Sequence, residues 1–211
     1  FKGILLLLSM LFALTGCSVS EATQHGMAVD TIQTEDVLLR VDFLNVGQAD
    51  CALLSTKGHY MVIDGGNNGD ADTILSYLEG QGVEKLDAVV GTHPHEDHIG
   101  SLDAIINHFD VDAVYMPKIM HTSKTFEDVL DAVANKGLKI KSPSPGDTID
   151  FNGLEIEVLG PQREYKDFNN NSIVLKVNAG ETAFLFTGDA EETAEKDILQ
   201  AGYDLQADVL K

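Results

Sequence analysis

Basic residues are scarce in this sequence of 211 residues. Its 14 Lys and Arg stand against 34 Asp and Glu, and the formal net charge is −20. A surface with this excess of negative charge repels polyanions, and no cluster of Lys or Arg offsets it. The composition therefore argues against tight binding of nucleic acid by charge alone, although bound divalent cations would offset part of the repulsion.

The sequence has only one long hydrophobic run, near its start. Lys2 precedes an apolar segment that ends in Leu14-Thr15-Gly16-Cys17. The segment is too short to span a bilayer, and a basic residue before such a run is typical of a signal peptide. Its ending resembles a bacterial lipoprotein processing box. We therefore expect residues 1–16 to be a signal peptide, incomplete at its N-terminus, and Cys17 to carry lipid; an ordinary secretory signal is the alternative.

Cysteine is nearly absent, since Cys51 is the only one besides Cys17. If Cys17 is lipidated, no intrachain disulfide forms, and an ordinary hydrophobic core must stabilise the fold. Residues 17–36 are polar and lack apolar periodicity, which indicates a flexible tether. Residues 37–211 are enough to bury one core, and the 44% hydrophobic composition agrees. We interpret Cys51 as a small buried side chain, because no activating base stands beside it.

Metal-ligating residue types concentrate in one run, His93-Pro94-His95-Glu96-Asp97-His98. Apolar residues 86–90 lead into it and predict a strand. Residues two apart point the same way on extended backbone, so we expect His93, His95 and Asp97 to project to one side. His98 would then begin the helix that follows. Imidazole nitrogens and a carboxylate oxygen suit zinc, and also manganese or iron, so the run predicts a metal site.

This run resembles the metal-binding signature of the metallo-β-lactamase superfamily. Four further segments are similar, in the same order, to the hydrolase domain of the competence protein ComEC and its free-standing relatives: residues 41–50 (VDFLNVGQAD), 61–66 (MVIDGG), 170–175 (NNSIVL) and 184–191 (FLFTGDAE). The resemblance covers residues 37–211. It implies an α+β fold, the αββα sandwich, in a hydrolase domain that is truncated at its C-terminus.

Periodicity and turn residues place the elements of this domain. Strands are predicted at 37–44, 51–55, 60–63, 86–91, 113–116, 148–151, 154–159, 173–178, 183–187 and from 207 onward, with a hairpin turn at Lys57-Gly58. Helices are predicted at 72–81, 99–108, 125–136 and 190–200. Periodicity alone does not choose between an α/β and an α+β fold; the resemblance does.

The resemblance also assigns roles to single residues. It implies that Asp189, which follows an apolar strand and Gly188, bridges two divalent cations, zinc first and manganese as the alternative. The other implied ligands are His93, His95, Asp97 and His98. Asp97 and Asp189 are the implied catalytic residues. Asp64 would orient the first histidine, as metal-bound imidazoles generally require.

Two departures from the superfamily pattern affect these assignments. Residues 169–172 (NNNS) stand where many members place a metal-binding histidine, so Asn171 or Ser172 would contact water or substrate instead. No histidine follows His121, and the second cation is left with three ligands, Asp97, His98 and Asp189. His121 itself precedes a predicted helix start and would overhang the pocket.

Together these expectations describe a metal-dependent hydrolase on the extracytoplasmic face of a bacterial membrane, held there by lipid on Cys17, or secreted if the lipoprotein interpretation is wrong. A water shared by two cations has a lowered pKa and yields a hydroxide nucleophile. Phosphoesters are the expected substrates: the resemblance points to DNA phosphodiesters, whereas the charge favours smaller ones, such as those of cell-wall polymers. The missing ligand keeps a non-catalytic binding module open as the alternative.

Overall fold

The structure, a computed structural model, describes residues 38–211. The predicted signal peptide, the lipidation site at Cys17 and the tether lie outside the described residues. Within the described range the strands are β1 (Arg40–Phe43), β2 (Ala52–Thr56), β3 (His59–Ile63), β4 (Lys85–Leu86), β5 (Ala88–Val90), β6 (Asp110–Val111), β7 (Val114–Tyr115), β8 (Ile140–Lys141), β9 (Thr148–Phe151), β10 (Leu154–Gly160), β11 (Val174–Ala179), β12 (Thr182–Phe186) and β13 (Val209–Leu210). The helices are α1 (Ala71–Gly80), α2 (Glu96–Ile99), α3 (Leu102–His108), α4 (Lys124–Asn135) and α5 (Glu192–Ala201).

The strands form two main sheets. One has six strands in the order β1-β2-β3-β5-β7-β8, and the other has five in the order β13-β12-β11-β10-β9, while β4 and β6 pair separately. In the first sheet β3, β5, β7 and β8 run parallel, so their carboxyl ends meet at one edge. The second sheet is antiparallel except for its β12–β13 pair. The parallel edge of the first sheet carries the candidate site described below.

Alternation along the strands divides the core into layers. On β2, Leu54 packs between the two sheets, where it meets Ile156 and Leu175 of the second sheet. Its neighbour Leu53 faces the other way and packs in the cluster that includes helices α1, α3 and α4. A third cluster, around Ile198, covers the outer face of the second sheet with α5. Helices therefore lie outside two packed sheets, and the predicted αββα sandwich is confirmed.

Most predicted elements are present, with ends displaced by a few residues. The hairpin of β2 and β3 turns at Lys57 and Gly58, whose φ values of 49° and 81° are both positive, as its two-residue turn requires. Cys51 is buried, as expected, and burial raises the pKa of its thiol. The sequence did not predict the two-residue strands β4, β6 and β8, which are too short to show periodicity. In the described part of the chain, no helix has the length and apolarity that a bilayer crossing requires.

The predicted helix 99–108 is wrong at its start. Helix α2 begins already at Glu96, and a break at Gly100 and Ser101 separates it from α3. The N–H of Gly100 donates to the carbonyl of Gly66 (2.8 Å) and that of Ser101 to the carbonyl of Gly65 (3.1 Å). These donors are thereby withdrawn from the helical ladder, which explains the break. Asp97 lies on α2 as a result, and the expected extended path through this residue is also wrong.

At the break between α2 and α3, the backbone of Gly100 lies against the turn after β3, so a side chain at this position should destabilise the fold. A Cβ on Gly100 would lie 2.2 Å from the carbonyl carbon of Asn67 and 2.3 Å from the amide nitrogen of Asn68. Backbone atoms cannot rotate away, so we expect Gly100→Ala to lower the free energy of unfolding by about 2 kcal/mol or more. Urea denaturation followed by circular dichroism measures the change.

Gly80→Ala is the matched control, because Gly80 ends α1 and nothing lies within 4 Å of its added Cβ. We expect it to be neutral or to stabilise by up to about 1 kcal/mol, since alanine favours the helix. Equal urea midpoints of unfolding for Gly100→Ala and Gly80→Ala would contradict the close contact of Gly100 with Asn67 and Asn68.

Candidate metal centre

Two adjacent parallel strands bring the first residues of the site together. Asp64 follows β3, and Thr92 and His93 follow β5, so they leave the sheet at the same edge. The N–H of Asp64 donates to the carbonyl of Val90 (2.8 Å), which holds Asp64 in a left-handed conformation with φ of 61°. Positive φ is uncommon for a residue with a side chain and marks a position fixed by its surroundings. Parallel-strand ends are where such folds place chemistry.

The carboxylate of Asp64 is buried and fully used. Its Oδ1 accepts the N–H of Thr92 at 2.8 Å. Its Oδ2 accepts the Thr92 hydroxyl and also lies beside His98 Nδ1, both at 2.8 Å. Burial raises the pKa of Asp64, while the hydrogen bonds from His98 and Thr92 act in the opposite direction. The expectation that Asp64 orients His93 is wrong: Asp64 orients His98, and it reaches His93 only through Thr92, whose Oγ1 lies 3.2 Å from His93 Nδ1.

Asp189 faces two histidines with separate oxygens. Its Oδ2 lies 3.8 Å from His93 Nε2, and its Oδ1 lies 3.2 Å from His98 Nε2. His95 approaches from another side, with Nδ1 at 3.1 Å from His93 Nε2. Tetrahedral zinc with bonds of about 2 Å holds neighbouring donor atoms about 3.3 Å apart. The spacings therefore fit a divalent cation held among these donors, and zinc or another divalent metal suits them.

The pKa values of the two buried histidines, His93 and His98, are shifted in opposite directions. Burial, followed by the neighbouring charge of His98, lowers the pKa of His93 to about 3, so its imidazole is neutral and offers a lone pair. Burial also opposes charge on His98, but hydrogen bonds to Asp189 and Asp64 outweigh it and raise the pKa of His98 to about 10. The hydrogen bond from His98 lowers the pKa of Asp189. Two carboxylates thus stabilise positive charge at His98, where a metal ion would compete with the proton.

The structure does not bring Asp97 into this cluster. Among residues 38–211, two groups of His, Cys, Asp or Glu have three ligand atoms within 4.8 Å of one another: His93, His98 and Asp189, and Asp50, Asp64 and His98. Neither His95 nor Asp97 belongs to either group; His95 contacts the cluster through His93, whereas Asp97 is carried on the helical turn of α2 instead of extended backbone. Its role as a ligand stays a prediction.

Residues 169–172 support the loop that carries Asp189. Ser172 Oγ accepts the N–H of Asp189 (3.1 Å) and lies 3.4 Å from His93 Nδ1, so this side chain contacts two of the cluster residues. Asn170 Oδ1 accepts the N–H groups of Glu191 (3.2 Å) and Ala194 (3.1 Å) and thereby caps α5. Hydrogen bonds to Asn170 and Ser172 therefore fix the residues between β12 and the first turn of α5.

The expected contact of Asn171 with water or substrate is not what the structure shows. Asn171 is buried, and its amide donates to the carbonyls of Tyr165 (2.9 Å) and Asp167 (2.7 Å). Its Oδ1 accepts the N–H of Tyr165 (3.0 Å). The side chain is therefore occupied by the backbone of its own loop.

His121 lies beside the cluster. The centroid of its ring is 6.3 Å from that of His95 and 4.7 Å from that of Phe168. The remaining described histidines pair with acids elsewhere, His59 with Asp87 and His108 with Glu79, each at 2.8 Å.

Sequence reasoning missed Thr92, Asn170 and Asp50. Thr92 and Asn170 act through hydrogen bonds to residues distant in sequence, which no local pattern reveals. Asp50 was part of a segment quoted for its resemblance, but without a role. It stands beside Asp64 and His98, and its carboxylate pairs with the ammonium group of Lys211.

Several known proteins have sequences similar to this one. The family model described as the metallo-beta-lactamase superfamily matches residues 44–208. ComE operon protein 3 of Bacillus subtilis (strain 168) is 27% identical over 190 residues, 81% of this chain and 24% of that protein. Recombination protein 2 of Haemophilus influenzae is 25% identical over 179 residues, 78% of this chain and 21% of that protein. The chain therefore spans less than a quarter of the length of these two relatives.

Solved structures agree on the fold. MEM-A1, a subclass B3 metallo-beta-lactamase from a soil metagenome library, superposes with a TM-score of 0.57 at 15% identity, over 82% of this chain and 76% of that one. A putative metallo-beta-lactamase from Thermotoga maritima gives 0.55 at 13% identity, over 82% of this chain and 94% of that one. At such identities the likeness concerns the fold alone. The family match over residues 44–208 and the αββα sandwich together show that the protein belongs to the metallo-β-lactamase superfamily of hydrolases.

Proposed function

We propose that the protein is a metal-dependent phosphodiesterase that works with two divalent cations held on either side of Asp189. The observation that carries the proposal is the position of this carboxylate, whose two oxygens face His93 Nε2 at 3.8 Å and His98 Nε2 at 3.2 Å. When bound, such a pair of cations supplies an activated water, a bridging hydroxide in this proposal, and polarises a phosphoester.

Each residue of the cluster has a defined task in this proposal. His93 and His95 would hold one cation and His98 the other, with Asp189 shared between them. Zinc fits the spacing, and manganese is the alternative. For Asp97 to join the second set, its side chain would have to turn toward His98 from its place on α2. Asp64 and Ser172 keep the ligands in position through His98 Nδ1 and the N–H of Asp189.

The choice of a phosphodiester rests on the similarity to proteins named for competence and recombination. They include ComE operon protein 3, Recombination protein 2 and Competence protein ComA of Neisseria gonorrhoeae. The net charge of −20 opposes the approach of a long polyanion and favours short phosphodiesters. Hydrolysis of bis(p-nitrophenyl) phosphate, compared with that of a single-stranded DNA oligonucleotide at several salt concentrations, separates the two substrate classes.

We also propose, from the sequence alone, that lipid on Cys17 holds the domain at the outer face of the cell membrane. We expect Cys17→Ser, made in the complete gene product, to move the protein from the membrane fraction to the soluble fraction. Metabolic labelling with a fatty acid measures the modification directly. Retention of label in the variant would contradict the assignment, whatever the activity.

The first test of the catalytic proposal is Asp189→Asn, which preserves the shape of the side chain. We expect the bound metal to fall from two ions per chain to one or fewer. Phosphodiesterase activity should fall by roughly 100-fold or more, since metal-assisted catalysis contributes several kcal/mol. Elemental analysis and hydrolysis of bis(p-nitrophenyl) phosphate give the two quantities. Asp131→Asn, on the exposed face of α4, is the control for loss of one charge.

The outcomes of this test separate three interpretations. The hydrolase interpretation is supported if the wild type binds two metal ions and is active, and if Asp189→Asn loses metal as well as activity. One metal without activity against any phosphoester favours the binding module. Unchanged metal content in Asp189→Asn would contradict the bridging role of this carboxylate.

The second test concerns Asp64 and its hold on His98. The amide oxygen of Asp64→Asn can replace Oδ2 or Oδ1 but not both, so its NH2 group faces either the N–H of Thr92 or the Thr92 hydroxyl and His98 Nδ1, and the hold on the His98 ring is weakened. We expect metal affinity to fall about 10- to 100-fold, as is typical when the partner of a ligating histidine is removed. Competition with a fluorescent chelator measures the affinity.

Asp87→Asn is the matched control for Asp64→Asn. Asp87 contacts His59 at 2.8 Å and also accepts the N–H of Tyr60, in the same kind of pair but away from the cluster. We expect its metal affinity to equal that of the wild type. A comparable loss in both variants would mean that the effect is one of general stability.

A further inference from the structure

Two side chains from separate loops flank His95 at the metal centre. His121 lies between β7 and α4, and Phe168 lies between β10 and β11. Their ring centroids are 6.3 Å and 6.0 Å from that of His95 and 4.7 Å from each other, all in edge-on arrangements. Both residues are half-buried. The imidazole of His121 is therefore packed against the site and partly open to solvent.

The hydrogen bonds of His121 fix its tautomer. The N–H of Ser123 donates to His121 Nδ1 (3.2 Å), and Ser123 Oγ lies 2.9 Å from the same nitrogen. A backbone N–H can only donate, so Nδ1 must accept, and the proton of the neutral imidazole is on Nε2. Ser123 is also the N-cap of α4, where its Oγ accepts the N–H of Phe126 (3.2 Å). The ring is thus oriented by the start of a helix.

The remaining nitrogen of this ring is an available donor. Within residues 38–211, Nε2 of His121 has no hydrogen-bond partner in the protein. A protonated Nε2 has no lone pair for a metal, and His121 belongs to neither group of potential ligands in the described chain. Its position and tautomer suit contact with an oxygen acceptor that is not part of the protein.

The same two loops also carry basic side chains. With residues 142–145 they line a separate cavity of about 290 Å³, to which Lys118 and Arg163 contribute positive charge and Glu164 negative charge, while His121 is not among its lining residues. The chain carries only 14 basic residues, so two of them at one cavity are a local exception to its acidic surface. Arg163 is paired with Asp197 (2.8 Å), while Lys118 is exposed. The loop that carries His121 therefore also carries an exposed positive charge, at Lys118.

We propose that His121 contacts the substrate and donates a hydrogen bond from Nε2 to a phosphoryl oxygen; this inference rests on the proposed phosphodiesterase function. A neutral imidazole that gave up its Nε2 proton would become an imidazolate, so His121 is a hydrogen-bond donor in the reaction and not its proton source. Its bond to the oxygen strengthens as negative charge develops there. Phe168 limits the movement of the ring.

Nuclear magnetic resonance of the zinc-loaded protein tests the donor directly. In long-range ¹H–¹⁵N spectra we expect His121 to show the pattern of the tautomer protonated on Nε2. Addition of inorganic phosphate should shift the His121 signals in a saturable way, and those of His59 and His108 should stay in place. An Nδ1-protonated ring, or signals that do not respond to phosphate, would overturn the proposal.

Substitutions test the contribution to catalysis. His121→Phe keeps a ring and removes the donor, and we expect kcat/KM for bis(p-nitrophenyl) phosphate to fall about 10- to 100-fold, as for loss of a hydrogen bond to a charged group. His121→Gln keeps an N–H donor and should recover part of this loss. His108→Phe, at the end of α3, is the control and should match the wild type. Zinc content should equal two ions per chain in all three variants.

Two results would contradict the role of His121 in this series. Loss of zinc from His121→Phe would make the residue a ligand. Equal rates for the wild type and His121→Phe would remove it from the reaction. If the wild type itself hydrolyses no phosphodiester with zinc or manganese, the proposed function fails, and the phosphate titration still decides whether His121 binds an anionic oxygen, since that measurement needs no turnover.

Discussion

The carboxylate of Asp64 is the constraint on which the rest of the site depends. It ties together the residues that follow two parallel strands, because its oxygens accept from the N–H and hydroxyl of Thr92 and face Nδ1 of His98, each at 2.8 Å. A buried carboxylate without partners is costly, so three contacts to one group favour a single arrangement of these segments. That arrangement leaves His98 Nε2 directed at Asp189. A residue outside the proposed ligand set thereby fixes the position of a histidine that would hold a metal.

A second set of contacts, from residues 169–172, holds the other side of the site. Ser172 accepts the N–H of Asp189, and Asn170 caps α5 just beyond it. These side chains stand where many superfamily members have a metal-binding histidine. They accept hydrogen bonds from backbone N–H groups at and after Asp189, so in the proposed centre they would leave a position around the first cation for water or substrate. His121 and Phe168, on the flanks of His95, border that side of the site.

Local patterns predicted much of this molecule, and non-local contacts account for what they missed. Apolar runs and turn residues gave β2, β3 and β9 to β12 nearly to the residue, since each strand packs at least one face against a core. The ligand types at His93, His95 and His98 were evident from their spacing. The helical turn of α2 was not, because Gly100 and Ser101 direct their N–H groups to Gly65 and Gly66, more than thirty positions earlier. The role of Asn171 was not predicted either, because its partners are backbone groups, which carry no sequence signal.

The acidic composition and the metal centre are physically connected. A protein with a net charge of −20 concentrates divalent cations near its surface and keeps polyanions away, so its field favours loading of the site and disfavours long anionic substrates. Cations bound at the proposed centre would reverse the sign of the charge locally. An anionic phosphoryl group would therefore be repelled by most of the surface and attracted only at the mouth of the site. Because such long-range repulsion is screened by salt, whereas contacts to bound cations and to His121 are short, discrimination against long substrates should depend on ionic strength more than the chemical step does.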